Sequence, residues 1–310
     1  MNKKIRIIVV GIGGVGGYFG GLLAKEYFES DNVEIIFIAR GEHLKKIKSD
    51  GLTVIKGKEE FTVHPFLATD NFTEAGYADF IILCTKSYDL EETIGQLNPC
   101  LGTNSVIIPL LNGVDSVQRI KAILPDVTVS EGCAYIVSHI KEPGVIENIG
   151  NVQKIFFGLD DTSDERFSTL EKIMQQAGID ATFSQTISTI VWTKFIFISA
   201  IATATSYYDK TVGEVAEKHD DILFKLIEEL KQIALAKNIP VDKDITHKTL
   251  HRLKNVPYNN TTSMQRDFKS NKPHTELESL TNYVIKAGHE LNIPTPTYQN
   301  LFTLLKNKKE

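Results

Sequence analysis

The chain has 310 residues, of which 42% are apolar and 24% are charged, with a formal net charge of −5. This length allows two domains of ordinary size, and the composition is that of a globular protein in water. The acidic balance excludes the basic footprint of a nucleic-acid-binding protein. A small anionic substrate would therefore have to be captured by local basic residues.

Neither membrane insertion nor secretion is indicated by the apolar runs. The run at residues 5–10 is too short for the apolar region of a signal peptide, and the longest later candidate, residues 195–204, falls short of a membrane span. Cys84, Cys100 and Cys133 lack metal-ligand or disulfide spacing. We expect a cytoplasmic chain with reduced thiols, no metal site, and no membrane or nucleic-acid partner.

Short β-branched runs alternate with helical stretches through the first half. Strands are predicted at 5–10, 34–38, 80–84, 105–109 and 128–132, and helices at 14–28, 42–49, 88–97 and 115–124. Such alternation is typical of βαβ units that wind a parallel sheet. A hairpin is predicted from 52–55 and 60–64, and residues 145–149 and 154–158 are predicted to close the far edge of the sheet.

From about residue 186 the strand signals give way to long helical segments, at 186–206, 211–237, 242–254 and 275–291. The predicted fold class is α/β, with an N-terminal Rossmann-type dinucleotide-binding domain (1–185) and a C-terminal all-helical domain (186–310). Apolar faces of the helical half would allow a homodimer, but intramolecular packing explains them equally well.

A glycine-rich motif follows the first predicted strand directly. Gly11, Gly13, Gly14 and Gly16 lie in the sequence GIGGVG, which matches GxGxxG and opens a helix. In dinucleotide-binding folds these glycines allow a tight turn, close approach of a pyrophosphate, and close packing of helix on strand. The helix N-terminus also offers unpaired N–H groups to phosphate. We predict that these four glycines bind a dinucleotide.

Three polar residues follow later strands of the predicted sheet. The second strand ends in Arg40 without the acidic residue that binds the ribose of NAD; a guanidinium can bind a 2′-phosphate instead, which favours NADPH. Lys86 follows the third strand and is either a second phosphate contact or a loop charge. Asn112 follows the next strand and either contacts the nicotinamide ribose or substrate, or belongs to an Asn-Gly turn.

The helical half contains three further candidates. Lys194 interrupts an apolar helix: it either snorkels to the surface, which the periodicity favours, or lies in a cleft where desolvation makes a lysine a better proton donor. Thr275 and Glu278 predict a capping box that opens the last helix, with Glu276 in its first turn. Locally, Glu276 would only stabilise this helix, and Ser263 would be a loop hydroxyl.

Eight segments, in order, resemble the ketopantoate reductase (2-dehydropantoate 2-reductase) family over nearly the whole chain. They are GIGGVGG, IARG, CTKSYD, LLNGVD, VWTKF, SMQRDF, HTELESLTNYVIKAG and IPTP. The resemblance implies a Rossmann domain joined to a helical domain, with the active site in the cleft between them. It also implies NADPH-dependent reduction of 2-dehydropantoate to D-pantoate, a step towards pantothenate and coenzyme A.

The resemblance also implies a role for each candidate side chain. Lys194 corresponds to the catalytic lysine of the family and would protonate the substrate oxygen as hydride adds to the C2 carbonyl. Glu276 resembles the glutamate that orients cofactor and lysine. Asn112 and Ser263 resemble substrate-contacting positions, with Asn112 close to the nicotinamide.

One departure from the family pattern concerns substrate binding. Asparagines that bind the substrate follow the catalytic lysine at +4 and +8 in well-studied members, whereas Ile198 and Ala202 stand here. Either Ser199, Thr203 or Thr205 replaces them, or the substrate is another 2-keto acid. A non-catalytic NADP(H)-binding sensor is a further alternative, but such a protein would need neither the lysine nor the glutamate.

Overall fold

The computed structural model describes residues 4–308 and divides into two compact units. The first contains the chain up to Leu111 together with Ser116–Ile187. The second contains Asn112–Asp115 and the chain from Ser188 onward. A four-residue segment in the first half of the chain therefore belongs to the C-terminal unit.

The first unit contains both strands and helices. Its strands are β1 (Ile5–Val10), β2 (Val33–Ile38), β3 (Leu52–Lys56), β4 (Glu59–Val63), β5 (Leu67–Thr69), β6 (Phe80–Leu83), β7 (Val106–Pro109), β8 (Thr128–Val129), β9 (Glu131–Tyr135), β10 (Ser138–Glu142), β11 (Val145–Asn148), β12 (Lys154–Gly158) and β13 (Asp180–Phe183). Its helices are α1 (Gly14–Glu26), α2 (Gly41–Asp50), α3 (Phe72–Ala75), α4 (Leu90–Gly95), α5 (Ser116–Ile123) and α6 (Glu165–Gln176).

A parallel sheet forms the centre of the first unit. Within residues 4–308 its strand order is β5-β2-β1-β6-β7-β8. The chain runs outward from β1 in one direction and from β6 in the other, which creates a crevice at their carboxyl ends. Ile7 and Val9 pack into one apolar cluster, while Ile8 and Val10 pack into another. The sheet is thus covered on both faces, and the prediction of an α/β first half is confirmed.

The predicted far edge of this sheet is wrong. β11 lies between β10 and β3 in a second sheet, and β12 lies between β13 and β9 in a third. β11 pairs in parallel with β3, so the predicted hairpin, which does form as β3 and β4, provides the partner that draws β11 away. The predicted strand at 128–132 is also divided at Ser130, where the chain leaves β7 to pair with β12.

The second unit is helical. Its helices are α7 (Ile187–Tyr208), α8 (Val212–Lys218), α9 (Asp220–Ala236), α10 (Ile245–Lys254), α11 (Ser263–Lys269), α12 (Tyr283–Leu291) and α13 (Pro296–Asn307). Trp192, Phe195 and Ile201 of α7 pack in its core. Among residues 4–308, α7 is the one helix long and apolar enough to cross a membrane, with a mean hydropathy of 1.6, although 72% of that window is buried inside the protein.

Two helix boundaries differ from the sequence prediction. The helix predicted at 211–237 is broken at His219, between α8 and α9. A π-helical turn over Glu278–Asn282 precedes α12, and Leu277 at its start supplies no side-chain cap. The Glu278 carboxylate instead accepts a hydrogen bond from Asn282 and pairs with Lys286. The predicted Thr275–Glu278 capping box is therefore wrong.

Glu131, the first residue of β9, is half-buried. Burial, reinforced by the negative charge of Asp160, raises the pKa of Glu131 to about 7. A carboxyl with a raised pKa binds its proton more tightly in the folded state than in the unfolded state. Its contribution to stability is full at pH values below about 4.5 and is lost as the pH rises towards 7.

We therefore expect Glu131→Gln to be more stable than the wild type at pH 8, by on the order of 1–3 kcal/mol. This advantage should shrink towards zero near about pH 3.5, since the wild-type carboxyl is then largely protonated in both states. Urea unfolding at both pH values measures the difference. Glu60→Gln, on the exposed part of β4, is the control and should show no such gain. An equal effect of Glu131→Gln at both pH values would contradict the titration argument.

Candidate functional site

The glycine motif forms a tight turn between β1 and α1. Gly11 has a φ of +90°, a conformation that glycine adopts without strain. A Cβ at Gly16 would lie 2.2 Å from the carbonyl oxygen of Gly11, and a Cβ at Gly14 would lie 2.3 Å from that of Ser138. A Cβ at Gly13 would meet nothing within 4 Å. Gly11, Gly14 and Gly16 are thus required by the fold, whereas Gly13 borders open space.

This open space has the chemistry that a pyrophosphate needs. Gly13 is the N-cap residue of α1, and the first turn of that helix carries no acidic side chain. The N–H groups of a first helical turn have no intrahelical acceptor, and the helix dipole adds positive potential there. The backbone therefore fits the diphosphate of a dinucleotide, with Gly13 as the point of close approach.

Arg40 and Lys86 lie after β2 and β6, at the same edge of the sheet as the glycine turn. The Arg40 side chain is 70% exposed and forms an ion pair with Asp89, with 2.5 Å between Nη2 and Oδ2. Lys86 is half-buried and precedes the 3₁₀ turn that contains Asp89. The glycine motif did not predict Asp89; its only signal in the sequence is its place three residues after Lys86.

In the second unit, four predicted residues form one polar cluster. Lys194 is 8% exposed, and its Nζ donates a hydrogen bond to Oδ1 of Asn112 at 3.1 Å. Glu276 is 2% exposed; Nδ2 of Asn112 lies 3.5 Å from one of its carboxylate oxygens, and Oγ of Ser263 lies 3.5 Å from the other. Lys194 is thus held inside the unit, and the snorkelling alternative is wrong. We call these four residues the amide cluster.

Each member of the amide cluster occupies a distinct local setting. Asn112 begins a turn in which Gly113 has a φ of +108°. Glu276 lies just before the π-helical turn, and its carbonyl oxygen accepts the N–H of Leu280. Ser263 is the first residue of α11 rather than a loop residue. Single π-helical turns are found frequently at functional sites.

The hydroxyl groups suggested as replacements for the family asparagines already form hydrogen bonds within the protein. Ser199 bonds the carbonyl of Leu280 and the Tyr298 hydroxyl, Thr203 bonds Thr281, and Thr205 bonds Thr262 and the backbone of its own helix. All three side chains are fully buried. They serve helix packing in the second unit and cannot replace amides that bind a substrate.

The cysteines are free thiols, as predicted. Burial raises the pKa of Cys84, which follows β6, to about 12, and that of Cys100 to about 11, so neither is a reactive thiolate at neutral pH. Between residues 4 and 308, His, Cys, Asp and Glu side chains form no group of three or more that could hold a metal ion.

Comparison with known proteins identifies the family. The signature described as Ketopantoate reductase PanE/ApbA matches residues 7–161, and the C-terminal signature of the same family matches residues 186–309. The chain belongs to the ketopantoate reductase family. It is therefore an oxidoreductase with a nicotinamide dinucleotide cofactor.

Individual relatives cover almost the full chain. The crystal structure of 2-dehydropantoate 2-reductase from Porphyromonas gingivalis is 33% identical, with a TM-score of 0.86, and the match covers 98% of this chain and all of that one. The uncharacterized oxidoreductase YkpB of Bacillus subtilis is 26% identical over 97% of this chain and 98% of its own. A ternary structure of D-mandelate dehydrogenase, at 20% identity and a TM-score of 0.86 over 98% of each chain, shares the fold.

Gly13→Ala tests the pyrophosphate cradle. We expect the Kd for NADPH to rise about tenfold or more, since the added methyl group would occupy the space into which a diphosphate must come. Loss of an N-cap glycine costs at most about 1 kcal/mol, so the midpoint of thermal unfolding should fall by no more than a few degrees.

Nicotinamide fluorescence titration and thermal unfolding measure the two effects. Gly95→Ala is the matched control, because a Cβ at Gly95 also meets nothing within 4 Å. Gly95 is the last residue of α4 and is not part of the glycine motif. Wild-type affinity in Gly13→Ala would contradict the assignment of this cradle.

Proposed function

We propose that this protein reduces 2-dehydropantoate to D-pantoate with NADPH, using Lys194 as the general acid. The observation that carries the proposal is the buried ammonium of Lys194, held at 3.1 Å by the Asn112 amide beside the buried carboxylate of Glu276. An ammonium that has lost most of its water and has a fixed direction is suited to protonate an oxygen. Membership of the ketopantoate reductase family supports the reaction class.

The proposed chemistry divides the reaction between cofactor and protein. A nicotinamide held by the glycine turn would supply hydride to C2 of the keto acid. Lys194 transfers a proton from Nζ to the C2 oxygen as negative charge develops there, which yields the 2-hydroxy acid. Asn112 Oδ1 fixes the direction of Nζ, and Glu276 orients the same amide through its Nδ2. Nζ then regains its proton from solvent.

The preference for NADPH is supported by the residues at the carboxyl edge of the sheet. The chain continues from β2 into Arg40 without an acidic residue, and Lys86 follows β6. A guanidinium and an ammonium at this edge suit a 2′-phosphate better than a ribose hydroxyl. We propose a cytoplasmic location for the enzyme, which the three free thiols favour.

A second candidate substrate is a 2-keto acid with an apolar side chain. Ile198 and Ala202 stand where the family resemblance places amides, and Ser199, Thr203 and Thr205 are committed to internal hydrogen bonds. A site without those amides loses the means to favour a substrate hydroxyl over its absence. The hydroxyl group of 2-dehydropantoate would then add little to the free energy of substrate binding.

Lys194→Ala tests the general acid. We expect kcat to fall by about 10²–10⁴, which is the usual contribution of a positioned proton donor, while the Kd for NADPH stays within a few-fold. Lys231→Ala is the matched control, since Lys231 is a partly buried lysine of the second unit that pairs with Glu228. Steady-state kinetics and fluorescence titration give both quantities. Wild-type turnover in Lys194→Ala would contradict the assignment of Lys194 as the general acid.

A substrate panel tests the choice of keto acid. We expect kcat/KM for 2-dehydropantoate to exceed that for 3-methyl-2-oxobutanoate, which lacks the hydroxymethyl group, by about 10²-fold or more if the hydroxyl is recognised. A ratio near one would favour the apolar keto acid, and Ile198→Asn should then raise the ratio. NADPH binding with oxidation by no acid in a broader panel would instead support a non-catalytic sensor.

A further inference from the structure

The ion pair between Arg40 and Asp89 lies at the edge of the sheet where a dinucleotide is expected. Arg40 follows β2 and Asp89 follows β6, and in the sheet these strands flank β1 on its two sides. The pair therefore connects the loops on either side of the strand that leads into the glycine turn. In doubly wound folds the end of the second strand is where the adenosine ribose is recognised.

The two partners are held very differently. Asp89 is the N-cap residue of α4; its backbone N–H donates to the carbonyl of Lys86, and its carbonyl oxygen accepts the Thr93 hydroxyl. Its side chain is 23% exposed, against 70% for Arg40. The Asp89 carboxylate, on a backbone anchored by two hydrogen bonds, thus faces a solvated guanidinium. An arginine side chain has more rotatable bonds than that of an aspartate, so the arginine is the partner better able to rearrange when a cofactor binds.

The contact uses a nitrogen that a phosphate would need. Nη2 is one of the two terminal nitrogens of Arg40, and Oδ2 of Asp89 accepts from it at 2.5 Å. A guanidinium binds phosphate best through two parallel N–H groups. A 2′-phosphate must therefore displace the Asp89 carboxylate or share the arginine with it, while the two anions repel each other.

We propose that Asp89 sets cofactor selectivity by competing with the 2′-phosphate for Arg40, which narrows the preference for NADPH over NADH. This inference rests on the proposed use of NADPH. The same carboxylate can accept a hydrogen bond from the free 2′-hydroxyl of NADH, the task usually performed by an acidic residue at the end of the second strand. The Asp89 side chain thus weakens the binding of NADPH and strengthens the binding of NADH.

Asp89→Asn distinguishes two roles for Asp89. It either competes with the 2′-phosphate for Arg40 or orients Arg40 for binding that phosphate. Kd values for NADPH and NADH are measured by nicotinamide fluorescence without any keto acid. We expect the Kd for NADPH to fall about threefold to tenfold, in the range that removal of one exposed ion pair and one like-charge repulsion allows, and the Kd for NADH to stay the same or rise. In an Arg40→Gln background the gain for NADPH should disappear.

Glu91→Gln is the matched control, because Glu91, in α4 and two residues from Asp89, pairs with Arg119 of α5. It should leave the ratio of the two Kd values unchanged. A higher Kd for NADPH in Asp89→Asn would show that Asp89 supports Arg40 for phosphate, and an unchanged ratio would show no role; either overturns the proposal. Tight binding of both nucleotides without reduction of any keto acid would overturn only the proposed reaction. Binding of neither by the wild type would overturn both.

Discussion

The candidate site depends on one amide that faces opposite charges. Asn112 accepts a hydrogen bond from the Lys194 ammonium and turns its nitrogen towards the Glu276 carboxylate. Each charged group has lost most of its water, and an unpartnered buried charge is strongly destabilising. The amide gives both a partner without neutralising either. The lysine is thereby held among the packed helices of the second unit with a hydrogen-bond partner for its Nζ.

The parts of the fold that the sequence predicted are those set by local forces. A glycine motif after a mostly apolar run specifies both the strand and the turn, and β1 and β2 follow from segments rich in isoleucine and valine. The sheet that a strand joins is instead decided by partners distant in the chain. β11 pairs with β3, about 90 residues earlier, and no feature of β11 itself indicates this pairing.

Two segments with the same capping signature show the limit of local inference. Thr211 and Glu214 exchange the two hydrogen bonds of a capping box at the start of α8. Glu278 instead pairs with Asn282, in a π-helical turn. The burial of Lys194 could not be predicted from periodicity either, since its partner Asn112 lies 82 residues earlier in the sequence. The family resemblance, which uses motif order, was what indicated these site residues.

The segment Asn112–Asp115 has a consequence for the history and engineering of this protein. It lies between β7 and α5, yet it belongs to the compact unit formed by the chain after Ser188. A gene fragment encoding only that later part would lack the amide that holds Lys194. Recombination that exchanges the two halves between homologues would combine the asparagine of one parent with the lysine and glutamate of the other. These residues must then be inherited as a set, although no continuous stretch of the gene encodes them.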